Sequence, residues 1–147
     1  MAVIKHIFEV KAPVTKVYEA ISTVYGIRSW WTTDTTGIPE KGGELRFGFG
    51  DGAYTDVKVV ETQKNKKIAW QCTGSTFSRG KEWVGTTITF NLSTEEGNET
   101  LVRFEHGGWK DETEFYGICT YHWGVFMTSL KALCETGKGN PEIIERA

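Results

Sequence analysis

A chain of 147 residues with a formal net charge of −2 is sized for one domain, and folding would bury about 70% of its unfolded surface. It lacks the basic excess that nucleic acid or an anionic membrane surface demands, and its longest apolar runs are too short to span a bilayer. The N-terminal MAVIKHIFEV alternates where a signal peptide would be continuously apolar. Cys72, Cys119 and Cys134 are scattered, with no CxxC pair. The expectation is therefore a cytosolic chain with free, buried thiols, in which the sequons at Asn91 and Asn98 carry no weight. Aromatic residues make up 13% of the chain, with six tryptophans, which calls for a bulky core or a lined pocket.

Ile4 to Val10 alternates as a strand, with Ile4, His6, Phe8 and Val10 on one face. Pro13 suits a first helical turn, and Val17, Ala20, Ile21 and Val24 follow at helical spacing, predicting a short helix over about 13–23. Gly26 is expected to break it. A second short helical piece, 27–31, ends in the pair Trp30-Trp31, and TTDTTGIPEKGG reads as a polar connection. From Gly43 the period becomes two. Leu45, Phe47 and Phe49 alternate up to the Gly50-Asp51-Gly52 hairpin signal, and Tyr54 to Glu61 returns. After a turn at 63–66, Ile68, Trp70 and Cys72 form the next apolar face. A longer loop, GSTFSRGKE, leads to a strand through Val84, Thr86, Ile88, Phe90 and Leu92. The last strand carries Val102, Phe104 and His106 on one face, opposite Leu101, Arg103 and Glu105. Hairpin-linked strands with helices at the ends predict an α+β domain of about six antiparallel strands, two short helices and one long C-terminal helix.

The closing helix, 114–139, begins with Asp111 or Thr113 as cap and ends at Gly137 and Gly139 before Pro141. Phe115, Cys119, His122, Phe126, Leu130 and Leu133 recur at helical spacing, and Tyr116, Cys119, Trp123, Met127, Leu130 and Cys134 form a second stripe beside them. Two stripes exceed the apolar arc of an ordinary amphipathic helix. Such a helix would bridge a concave sheet and leave a hollow beneath part of its length. Gly117 and Gly124, each costing roughly 1 kcal/mol against Ala in a helix, either admit a close neighbour or relieve crowding around the rings.

The sequence resembles the START-like (SRPBCC) helix-grip superfamily, and more narrowly the family named after the activator of the heat-shock protein 90 ATPase. VKAPVTKVYEAIS, Trp30-Trp31, GGELRF, WVGTTITFNL and FEHGGW followed by YGICTYHWGVFMTSLKALCETGKGNP carry the resemblance, which covers essentially the whole chain. It implies a single START-like domain over 1–147 with a mostly apolar cavity between the sheet and the last helix. It also implies binding of a small hydrophobic or aromatic molecule, or a cyclase- or hydrolase-like reaction in the same space. The family name implies co-chaperone activity on a heat-shock ATPase.

Inward strand faces and the helix underside nominate the lining: Trp30, Phe47, Phe49, Trp70, Phe90, Phe104, His106, Cys119, His122, Trp123 and Phe126. His106 and His122 would hydrogen-bond a ligand or act as a base, or be buried and internally satisfied. Cys119 and His122 are neighbours on a helix, without the oxyanion site and third group that a nucleophilic pair requires. Glu105 points outward by alternation, and Glu82 sits on a strand of unfixed facing. The loop 75–80 lacks a phosphate-binding lysine and rims the cavity mouth instead. The usual metal-ligand spacings are absent, and no cofactor is expected. A homodimer is compatible with free sheet edges and exposed tryptophans.

Overall fold

The computed structural model describes residues 2–77 and 79–145. In chain order the elements are β1 (Ala2–Val10), α1 (Val14–Ser22), α2 (Val24–Trp30), β2 (Asp34–Gly37), β3 (Glu44–Gly48), β4 (Tyr54–Gln63), β5 (Lys67–Ser75), β6 (Thr87–Glu95), β7 (Glu99–Trp109) and α3 (Glu114–Thr136). The strands form one antiparallel sheet in the order β1-β7-β6-β5-β4-β3-β2. Every step from β2 to β7 joins neighbours, and only β1 reaches across to β7. The two helices after β1 connect it to β2 at the opposite edge of the sheet. Two register shifts between β4 and β5 bend the sheet, as bulges do.

Period-two alternation decides which face is covered. Leu45, Phe47, Val57, Val59, Ile68, Trp70, Cys72, Ile88, Phe90, Leu92, Val102, Phe104 and His106 are all buried, and α3 lies against this face. Thr113 caps α3, its hydroxyl accepting from the Tyr116 N–H and donating to the Glu82 carboxylate at 2.5 Å. Gly137 ends the helix in the left-handed conformation.

Three expectations change. The sheet has seven strands where about six were expected, because the polar run Asp34–Gly37 pairs with β3. Gly26 lies inside α2 and does not break a helix. The break falls at Thr23, which is extended and whose hydroxyl accepts from the Gly26 N–H. A Cβ at Gly26 would stand 2.7 Å from the Ala20 backbone, so its small size seats α2 on α1. Val84 is half exposed in a turn and β6 starts at Thr87.

Candidate functional site

The excess of aromatic residues fills the hollow of the sheet. Trp31 meets Phe47 at 4.2 Å between ring centroids, Phe47 meets Trp70 at 5.4 Å, and Trp70 meets Phe90 at 5.1 Å. Phe90 then meets Phe104 at 5.2 Å, Phe104 meets Trp123 at 4.6 Å, and Trp123 returns to Trp31 at 4.9 Å. All six rings of this closed circuit are buried. Trp30, Phe47, Trp70, Phe90, Phe104 and His106 are buried in the core and are not among the walls of the cavity beside α3. The Trp30 indole is spent on the Ala20 carbonyl at 2.8 Å.

A cavity of ≈ 250 Å³ survives on one flank of α3 and opens to solvent. Its walls are Trp31, Phe49, Phe77, Gly80, Trp83, Phe115, Ile118, Cys119, His122, Trp123, Phe126 and Glu142. Of the nominated residues the structure brings together Phe49, Cys119, His122, Trp123 and Phe126. The two stripes of α3 thus divide the work. The stripe through Cys119, Trp123, Met127, Leu130 and Cys134 is buried against the sheet and the short helices. The stripe through Phe115, Cys119, His122 and Phe126 faces the cavity. The loop after β5 supplies Phe77 and Gly80, and its Ser78 lies outside the described residues. Glu82 sits on a short 3₁₀ turn, not on a strand, and Glu105 is half-buried, on the side of β7 opposite buried Phe104 and His106.

His106 is buried and both its nitrogens are engaged. The Trp123 indole N–H, which can only donate, reaches Nδ1 at 3.0 Å, so the ring proton belongs on Nε2. Nε2–H then donates to the Thr86 hydroxyl at 2.7 Å, and that hydroxyl donates to the Trp83 carbonyl at 2.5 Å. Burial pushes the His106 pKa down to about 3, so it is a neutral, satisfied core histidine with no lone pair for a ligand or a proton transfer. His122 is exposed at the mouth of the cavity.

Cys119 accepts from the Trp83 indole N–H at 3.3 Å. Burial pushes its thiol up to about 11, with the Glu82 charge adding to the rise, so it is protonated and a poor nucleophile. Cys72 is pushed up to about 12 and Cys134 to about 11, both by burial. Gly124 faces β1: a Cβ there would stand 3.4 Å from His6 Cε1, an ordinary contact, and the His6 ring reaches the Thr120 carbonyl at 3.2 Å. Gly117 has open space where a Cβ would be and admits no close neighbour. Among the described residues no three His, Cys, Asp or Glu are placed to hold a metal ion, and no helix is long and apolar enough to cross a membrane.

A curved antiparallel sheet closed by one long helix, with two short helices after the first strand and an aromatic cavity beside the long one, defines a helix-grip domain. Residues 11–135 match the family described as Activator of Hsp90 ATPase homolog 1-like protein. The solution structure of the Aha1 dimer from Colwellia psychrerythraea is similar with a TM-score of 0.83 and 39% identity, over 95% of this chain and 100% of that one. The chain belongs to this family. A crystal structure from Mesorhizobium loti (TM-score 0.74, 20% identity, 88% of this chain and 95% of that one) shares the fold. So does CalU16 from Micromonospora echinospora (TM-score 0.73, 19% identity, 95% and 78%). No curated protein gives a significant match.

Proposed function

We propose that the chain binds a small hydrophobic or aromatic molecule in the cavity beside α3. The observation that carries this reading is the composition of the walls. Three tryptophans, four phenylalanines and Ile118 surround a space that opens to water, with Cys119, His122 and Glu142 as the polar side chains. Apolar surface held open to water favours an occupant. At ≈ 250 Å³ the space is just under the about 300 Å³ at which drug-sized pockets begin, so it suits one or two fused rings. A ligand of that size would bind with a dissociation constant on the order of 10–100 μM. Native mass spectrometry of freshly purified protein tests this. A retained small molecule, or one-to-one uptake of an added bicyclic arene, is expected, and neither appearing would refute the reading.

A homodimer is the second reading, favoured by the dimer in the name of the Colwellia relative. On this chain Ile118, Tyr121 and Val125 are 43%, 71% and 43% exposed along one side of α3, and β1 is a free sheet edge. Light scattering at micromolar concentration tests it, a strict monomer being the adverse result. The family description brings heat-shock ATPase stimulation with it, which an ATPase assay with purified chaperone would settle.

A further inference from the structure

We infer that the cavity selects ligands with an apolar ring body and a cationic head, such as a protonated amine, and that Glu142 reads the head. This rests on the cavity being a ligand site. Glu142 is brought there by a strap, residues 139–144, that folds back after α3 and is fixed at every step. Gly139 passes so close to α2 that a Cβ would stand 2.4 Å from the Ser29 carbonyl. The Asn140 N–H donates to the Ser129 hydroxyl at 2.7 Å, and that hydroxyl donates to the Trp30 carbonyl at 2.8 Å. Glu142 forms a parallel bridge with Thr32: its N–H donates to the Trp31 carbonyl at 2.8 Å, and its carbonyl accepts from the Thr33 N–H at 3.0 Å. The Ile144 N–H closes the set on the Thr33 hydroxyl at 2.9 Å.

These bonds consume the backbone polar groups of Glu142 and hold the residue beside the backbone of Trp31–Thr33; Trp31 lines the same cavity. What remains free is its carboxylate, at an exposed position on the rim. Glu142 is the one carboxylate of the lining among the described residues, the Cys119 thiol is protonated, and no lysine or arginine lines the cavity; His122, at the mouth, is the other ionisable side chain there. Glu82, bonded by Thr113 next to the same flank, adds negative charge, and Lys81 on its turn is exposed and does not line the cavity. Tryptophan faces attract cations as well. The Glu142 carboxylate, in a wall rich in indoles, therefore favours an ammonium over a carboxylate.

The test uses one ring with three heads: 2-naphthylmethylamine, 2-naphthylmethanol and 2-naphthoate, titrated at low salt into wild type, Glu142→Gln and Glu142→Lys. In wild type the amine should bind roughly 5-fold tighter than the alcohol, and the carboxylate weaker than either. Added salt should shrink the spread. Glu142→Gln, which keeps every backbone bond of the strap, should remove the amine's advantage and leave the alcohol within about twofold. Glu142→Lys should reverse the order. Alcohol binding with no preference for the amine, or a preference that survives in Glu142→Gln, overturns this inference and leaves the cavity reading standing. Failure of all three probes to bind overturns both.

Discussion

Titrating His106 offers a quantitative check on how tightly the core beside the cavity is built. In the unfolded chain its pKa is near the ordinary 6.5, and in the folded protein burial holds it down to about 3. The folded-state value is depressed, so the unfolded chain binds more protons throughout the interval. Stability is fully present above pH 6.5 and is lost as pH falls toward 3. Linkage gives a loss of about 2 kcal/mol between pH 7 and pH 5, a large share of the roughly 5–15 kcal/mol that a domain possesses. The carboxylates of Glu61, bonded by Lys67 and Gln63, and Glu135, bonded by the Lys11 N–H, also sit below their ordinary value. Their acid loss begins only below about pH 4.5, outside this window. Urea unfolding at half-unit pH steps would show the slope. The same series on His106→Gln should be flat from pH 7 to 5. A wild-type curve that is equally flat, or a variant as steep as wild type, would refute the buried neutral ring and with it the Trp123–His106–Thr86 chain. Imidazole ¹⁵N shifts should independently show an unprotonated Nδ1 at pH 7.

Gly117→Ala should stabilise the protein by up to about 1 kcal/mol, since the added methyl meets open space and improves helix propensity. Gly139→Ala should destabilise it by more than about 2 kcal/mol, as the methyl would strike the Ser29 carbonyl. Thermal melts rank the two, and a stabilised Gly139→Ala would contradict the pinned strap. All three thiols are protonated at neutral pH, so native protein should react slowly with iodoacetamide at pH 7.5 and fully only once unfolded. Rapid native labelling of Cys119 would show that its environment is misread.

How much of this was legible in the sequence follows from what each feature depends on. Strands with a buried face announce themselves by alternation, and β3 to β7 are readable on that ground. Asp34–Gly37 has no apolar face and becomes a strand only by pairing with β3, which no local pattern encodes. The over-wide face of α3 correctly implied two surroundings, and the stripes separate into core and cavity. The lining is only partly legible from the inward strand faces. Large inward rings from β3, β5, β6 and β7 meet each other and leave no room. The wall comes instead from a loop (Phe77, Trp83) and from the strap (Glu142), whose positions depend on tertiary bonds. The Trp30-Trp31 pair was visible, yet which ring faces the cavity turns on where α2 ends. Trp83, just after the loop 75–80, and Phe115, on the first stripe of α3, are wall residues that the sequence pattern displays but that are absent from the nominated lining.

The most direct measurement is a ¹H–¹⁵N titration with 2-naphthylmethanol, read at the indole N–H resonances. If the aromatic space beside α3 takes up the ring, the Trp83 indole, which donates to Cys119 within that wall, should shift saturably while the Trp70 indole in the closed circuit stays still. No saturable shift at Trp83, or shifts scattered over exposed residues such as Tyr25 and Ile143, would mean that the space is not a binding site.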